Sequence, residues 1–260
     1  MISSFRVGPL NFQIYGMFLL FAVWAGLFLT ERRFRKVKED PEELWRLSLW
    51  VIPFGIFGAR IYHLVNYFEF YRENPGLMFA VWDGGMGIFG ALLGGLAGLF
   101  LGLLVFKKKI NFARYLDLLT PAIPLAQAIG RFGNYFNREL FGSPTNLPWG
   151  IYIPYLQRPQ NYLNQEKFHP LFFYESAYSL LVLFLLLFLE KKFRRVDGSL
   201  FFLYLLLYGV GRFLLEGLRL NNWKVGGVAV ASLFSLGLIG ASLGFCVFNF
   251  RKLFPPKIAQ

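Results

Sequence analysis

Residues 115–129, Tyr115-Leu116-Asp117-Leu118-Leu119-Thr120-Pro121-Ala122-Ile123-Pro124-Leu125-Ala126-Gln127-Ala128-Ile129, run directly into Gly130-Arg131-Phe132-Gly133-Asn134-Tyr135-Phe136-Asn137-Arg138-Glu139-Leu140-Phe141-Gly142. The first part is apolar enough to enter a membrane, although it holds Asp117 and Gln127. It then ends in two arginines, two asparagines and a glutamate within nine residues. Each such group is costly near hydrocarbon unless it is paired or faces water. Two readings follow. In one, the arginines of an interfacial loop snorkel to lipid headgroups. In the other, they line a polar pocket at the membrane surface that holds an anion. The planar fork of arginine matches a phosphate, and glycines let backbone N–H groups come close to the same ligand.

Composition supports the membrane setting. The chain has 260 residues, 56% hydrophobic and 20% aromatic, with only 16% charged. A soluble domain carries nearer about a quarter charged residues. The sequence therefore reads as an all-α integral membrane protein, a single polytopic membrane domain over residues 1–260. A formal charge of +12 would suit nucleic acid, but most of it lies in short loops beside apolar spans. That is the pattern that orients membrane proteins, and no nucleic-acid partner is expected. The single cysteine, Cys246, lies in the last apolar span. It can form no intramolecular disulfide, and an apolar setting makes a thiol inert.

Seven spans are expected, near residues 11–30, 44–65, 84–106, 115–129, 170–189, 200–215 and 228–250. The first is read as a span and not a signal peptide, because a heavily basic stretch follows it and no small-residue cleavage site is present. Tyr15, near its start, is either an interfacial anchor or a donor to a ligand. In the second span Arg60 follows Gly58-Ala59, and residues 66–83 read as a polar loop. In the third, Gly90, Gly94, Gly98 and Gly102 recur every four residues and predict a close-packing ridge. The fourth is short and carries Pro121 and Pro124, so it should be kinked or partly unwound. Residues 143–169 hold Pro144, Pro148, Pro154 and Pro159 and read as a small extramembrane lobe or hairpin between spans four and five. The sixth span ends in Tyr208, Gly209, Gly211, Arg212, Glu216 and Arg219. The last three, spaced by four and three, would share one helix face. They read equally as an internal ion pair and as a ligand site.

Orientation follows from counting. The loops after spans one, three, five and seven carry five, four, four and three Lys or Arg, against eight in all other extramembrane segments. The positive-inside rule then puts the N-terminus outside and the C-terminus in the cytoplasm. The Arg131 and Arg212 clusters both fall on the outer side, which favours one composite site.

At this point the chain resembles the prolipoprotein diacylglyceryl transferases of bacteria. Gly130-Arg131-Phe132-Gly133-Asn134 with Asn137, Glu139 and Gly142 is similar to the signature G-R-x-G-N-[FY]-x-N-x-E-x-x-G. Further matches are Tyr15-Gly16; Gly58-Ala59-Arg60 with Tyr62-His63; Trp82 with Gly84-Gly85-Met86; His169-Pro170 with Tyr174-Glu175; and Tyr208-Gly209 with Gly211-Arg212-Phe213, Glu216 and Arg219. Two positions depart from the pattern. Phe89 stands where many members have histidine, and Ser232 where a glutamine is common. Phe89 has no titratable group, so it is expected to pack in the core or face lipid.

The resemblance implies transfer of the sn-1,2-diacylglyceryl group from phosphatidylglycerol to the lipobox cysteine thiol of a prolipoprotein signal peptide. A thioether forms and glycerol phosphate leaves, as the first step of lipoprotein maturation in the bacterial cytoplasmic (inner) membrane. It implies membrane lipid as partner and no cofactor, and the sequence offers no metal-ligand cluster. Arg131 and Arg212 are the candidates for the phosphate and its developing charge. Asn134 and Asn137 would orient glycerol hydroxyls, with Tyr15 and Gly142 beside them. Glu139 and His169 are candidates to take the thiol proton. Arg60, Glu216 and Arg219 are expected to support the site structurally. Two other classes compete: a transporter of an anionic substrate, and a non-catalytic phospholipid-binding protein. Arginine clusters at one membrane face, rather than at mid-depth, argue against the transporter.

Overall fold

The computed structural model describes residues 4–7, 10–80, 85–106, 111–137, 139–193, 196–220 and 222–253. Expectations that fall on Trp82, Gly84, Lys107, Lys108, Lys109, Arg138, Arg194, Arg195 and Lys257 lie outside these residues. Residues 1–30 with 113–260 form one compact unit, and residues 31–112 form another.

The chain opens with an antiparallel hairpin of β1 (Ser4–Val7) and β2 (Leu10–Gln13), in register Ser4 to Gln13. It runs into α1 (Ile14–Lys36), whose last turn holds Arg33, Arg35 and Lys36, cations that suit a helix C-terminus. The first apolar helix therefore starts at Ile14 and not at Asn11, because the backbone of residues 11–13 is paired in the hairpin.

In the unit of residues 31–112, Asp40-Pro41-Glu42-Glu43 starts α2 (Pro41–Asn66). The Asp40 side chain accepts the Glu42 N–H at 3.0 Å, and Pro41 presets the helical φ. After α3 (Phe68–Glu73) comes α4 (Ile88–Val105), which lies backbone to backbone on α2. A Cβ on Gly90 or Gly94 would strike the carbonyl oxygen of Gly58 or Phe54, and one on Gly98 would sit 2.6 Å from that of Trp50. The glycine ridge is thus a packing face, which lets two helices gain dispersion contact where lipid removes any hydrophobic drive. Residues 66–80 are more regular than the polar loop expected, since α3 and a 3-10 turn over Pro75–Phe79 occupy most of them. Buried Arg60 gathers this segment. Its Nε, Nη2 and Nη1 donate to the carbonyls of Met78 (2.9 Å), Leu77 (2.5 Å) and Gly85 (3.1 Å), and the guanidinium lies over the Tyr71 ring. Phe89 is half-exposed against the Tyr62 ring.

In the other unit, the expected fourth span is two helices, α5 (Phe112–Leu119) and α6 (Ala122–Phe136). The break falls at Thr120-Pro121, where proline lacks an N–H and its ring blocks the preceding turn. At 15 residues α6 is short for a span. Among the described residues, six helices are long and apolar enough to cross a membrane: α1, α2, α4, α7 (Leu171–Phe193), α8 (Ser199–Glu216) and α9 (Val230–Phe248). A short α10 (Phe250–Leu253) follows. Helices α6 to α9 pack each against the next. Val182 and Leu186 of α7 meet Leu200, Leu203 and Tyr204 of α8 in a core that Ile123 of α6 joins. Buried Asp117 on α5 accepts the N–H groups of Gly198 (2.8 Å) and Phe201 (2.9 Å), so it caps the start of α8 from a distant element. Gln127 donates to the Tyr204 hydroxyl at 3.0 Å. Outward side chains are apolar, with Phe188 at 71% and Phe248 at 90% exposed, surface that a soluble protein would bury.

The all-α expectation needs one qualification: two further hairpins interrupt the helices. The pair β3 (Ile151–Tyr152) and β4 (Lys167–Phe168) organises residues 143–169, and β5 (Lys224–Val225) pairs with β6 (Val228–Ala229) before α9.

The ridge is open to a direct test. Gly94→Leu should cost about 1–3 kcal/mol or prevent folding, because overpacking against a backbone cannot relax. Gly237→Leu on α9, where nothing lies within 4 Å of the added Cβ, should be near neutral. Thermal unfolding in detergent compares the two.

Candidate functional site

The site is built on Glu175, which sits in the first turns of the largely apolar α7 and is only 8% exposed. Its Oε2 forms an ion pair with Arg131, 2.7 Å from Nε, and its Oε1 accepts a hydrogen bond from Arg219 Nη2 at 2.5 Å. One carboxylate therefore ties α6, the start of α7 and the turn after α8. Glu216, the last residue of α8, is buried beside it. Its Oε2 lies 2.5 Å from Arg212 Nη1 and 3.9 Å from Arg219 Nε. These two contacts are charge contacts without hydrogen-bond alignment. The result is a continuous string, Arg131–Glu175–Arg219–Glu216–Arg212. Among the described residues, three guanidiniums of the string face two carboxylates, which leaves one positive charge.

Arg131, Glu175 and Arg212 border one cavity of about 30 Å³, together with Gln127, Tyr178 and Tyr208. The Tyr178 ring fits there because Gly211 carries no Cβ, and its hydroxyl donates to the Leu207 carbonyl at 2.7 Å. A wider hollow of about 510 Å³ lies along Trp149, Pro170, Phe172, Phe173 and Tyr174. It is larger but none of these lining residues is charged, whereas Arg131, Glu175 and Arg212 border the small cavity. At 30% side-chain exposure, Arg131 is the most open of the three arginines.

Backbone contacts hold the string in place. Gly142 N–H donates to the His169 carbonyl at 2.8 Å, and Gly142 forms an isolated bridge with Arg219. Ser143 N–H donates to the Leu218 carbonyl at 2.8 Å, and His169 N–H to the Ser143 carbonyl at 3.0 Å. A Cβ on Gly142 would lie 3.0 Å from both His169 Cβ and the Leu218 carbonyl oxygen, so a side chain at this tight junction would push its neighbours apart. This corrects one expectation. Helix α8 ends at Glu216, so Arg219 is not on its face; the Gly142 bridge positions it instead.

The other expected residues surround the string. Tyr15 lays its ring on the bare face of Gly133, where a Cβ would be 2.6 Å from Tyr15 Cδ2. Asn134 Nδ2 donates to Glu139 Oε2 at 3.3 Å, and the Glu139 N–H to the Asn134 carbonyl at 2.9 Å. Asn137 closes α6 through its N–H on the Gly133 carbonyl. His169 Nδ1 lies 3.2 Å from the Tyr174 hydroxyl, which also accepts Trp149 Nε1 at 2.7 Å. Among the described residues, neither Glu139 nor His169 pairs with an arginine of the string. Arg60 belongs to the other unit, where its contacts include the backbone carbonyls and the Tyr71 ring already described.

The model of the prolipoprotein diacylglyceryl transferase family matches residues 3–248. The chain belongs to this family. It is 36% identical over 235 residues to the phosphatidylglycerol–prolipoprotein diacylglyceryl transferase of Thermosynechococcus vestitus, covering 90% of this chain and 87% of that one. Against the enzyme of the same name from Acaryochloris marina it is 39% identical over 245 residues, covering 92% and 86%. Against that of Thermotoga maritima it is 37% identical over 244 residues, covering 94% and 82%.

In the sequence of this diacylglyceryl transferase family member, Glu175 stands out only in the Tyr174-Glu175 motif and not among the expected site residues. A signal was present, because a carboxylate inside an apolar span demands a partner. Glu175→Ala should cost about 3–5 kcal/mol, since it strands two partly buried guanidiniums at once. Arg219→Ala should cost less, because Glu175 keeps Arg131. Chemical unfolding of the purified protein in detergent measures both.

Proposed function

We propose that the protein transfers the sn-1,2-diacylglyceryl group of phosphatidylglycerol to the lipobox cysteine thiol of a prolipoprotein. Family membership and the names of the relatives supply the substrates. The observation that carries the reading to particular atoms is the string of three guanidiniums and two carboxylates with one uncompensated positive charge. A phosphodiester headgroup has one negative charge, and an arginine fork matches it.

The step balances without a cofactor. The thiolate sulfur attacks the glyceryl carbon that carries the phosphate oxygen. A C–S bond forms, the C–O bond breaks, and its electron pair leaves with glycerol phosphate. The phosphorus group thereby changes from a singly charged diester to a more highly charged monoester. Guanidiniums that meet this growing charge lower the barrier more than they stabilise the bound lipid. Arg131 and Arg212 have that role, Asn134 and Asn137 orient the glycerol hydroxyls, and Tyr15 and Gly142 shape the same region. A free thiol ionises near pH 8.5, at about that value in solution. Glu139 and His169 are the two candidates to accept its proton.

The same reading sets the protein in the bacterial inner membrane, with the site toward the outer face. Helices α5 and α6 together make the fourth of seven spans within one membrane domain, the N-terminus lies outside, and residues 143–169 form an outer lobe. A reporter fused after Lys109 should behave as cytoplasmic, and one fused near Gln160 as external. The opposite pattern would remove the basis for a shared outer site.

Incubating the purified protein with phosphatidylglycerol and a lipobox peptide tests the activity itself. A transferase consumes both together, whereas a lipid-binding protein or transporter consumes neither. In that assay Arg131→Ala should lose at least about a hundredfold in rate, as when a donor to developing charge is removed. Arg131→Lys should restore only part, because a point charge lacks the two-pronged fit. The double variant with Arg212→Ala should lose less than the product of the two single losses, because groups acting on one phosphate are not additive. Near-normal rates for Arg131→Ala, or independent losses, would sink the shared-phosphate assignment.

A further inference from the structure

We infer that Glu175 and Glu216 tune the charge of the arginine site so that it retains a phosphodiester and releases a phosphomonoester. The inference rests on the reading of phosphatidylglycerol as donor and glycerol phosphate as product. Glu175 is not at the rim of the site. It borders the same small cavity as Arg131 and Arg212, and its two oxygens hold Arg131 at 2.7 Å and Arg219 at 2.5 Å. Glu216 is equally buried and lies 2.5 Å from Arg212. Any anion that reaches Arg131 and Arg212 therefore comes close to both carboxylates.

The consequence is electrostatic. The diester carries one negative charge and matches the single positive charge of the string. The monoester carries two at pH 8, since its second ionisation lies near about pH 6. The completed product thus leaves the site with one excess negative charge, among carboxylates that are shielded from water. Like charges at short range in such surroundings repel far more than in bulk solvent. Three arginines without these glutamates would do the reverse, holding the doubly charged product more tightly than the substrate. The two glutamates are positioning residues: they place the guanidiniums and set the net charge that the reacting phosphate meets.

The test compares two soluble competitors of lipid transfer at pH 8. Glycerophosphoglycerol is the acyl-free diester with one negative charge, and glycerol phosphate is the monoester with two. The wild-type protein should be inhibited at lower concentration by the diester. Glu175→Gln and Glu216→Gln, which remove the charge and keep the shape, should shift the ratio of the two inhibition constants toward the monoester. The expected shift is roughly tenfold or more, the scale of one charge-assisted contact. Glu175→Asp, which keeps the charge, should keep the diester preference. A merely structural loss would weaken both competitors alike and leave the ratio unchanged. If Glu175→Gln fails to fold, Glu216→Gln and the wild-type ratio still decide. A wild-type protein that transfers lipid yet prefers the monoester overturns the inference, and so do folded Gln variants with an unchanged ratio. A wild-type protein that does not consume phosphatidylglycerol removes the functional reading, and the inference falls with it.

Discussion

One carboxylate shared by two guanidiniums holds the larger unit of this protein together at its polar end. Glu175 has to be paired because it sits in an apolar helix, where an unpaired charge would cost several kcal/mol, on the order of the penalty for a buried ion. Arg131 and Arg219 have the same need. The observed arrangement meets all three by bringing α6, the start of α7 and the turn after α8 to one point. Glu216 and Arg212 extend the arrangement by one more pair.

Glycines make this convergence possible. Gly142 lets the chain after α6 lie against His169 and Leu218, which brings Arg219 within reach of Glu175. Gly133 accepts the Tyr15 ring, and Gly211 accepts the Tyr178 ring, which forms part of the cavity wall beside Arg131 and Arg212. In the unit of residues 31–112, glycines act differently: Gly58, Gly90, Gly94 and Gly98 put two helix backbones in contact. In both units the missing Cβ is used for close approach, and at none of these glycines for a positive φ.

An internal ion pair and an anion site are alternative readings of an arginine cluster, and here they are compatible. A guanidinium has five N–H donors, and a carboxylate on one edge leaves the others available. The glutamates fix where the arginines stand, and the surplus of one guanidinium leaves charge for a ligand. Preorganised donors of this kind lower a barrier without having to reorganise during the reaction.

The membrane class, the glycine packing ridge, the break at Pro121 and the family motif around Arg131 were all legible in the chain as written. Each depends on composition, on spacing within one helix or on a short run of residues. The first span was misjudged by three residues because a β-hairpin, visible only as pairing between strands, takes up Asn11–Gln13. Arg131 and Arg212 could be picked out as a pair, but not what they touch. The tertiary structure alone decided that Glu175 joins Arg131 to Arg219, that Asp117 caps α8, and that Arg219 is held by Gly142 rather than by a helix. The physical reason is common to all three. These partners lie between 44 and 84 residues apart, in hydrogen-bond terms, or on separate elements, and only helix packing brings such groups within the 3 Å or so over which they bond.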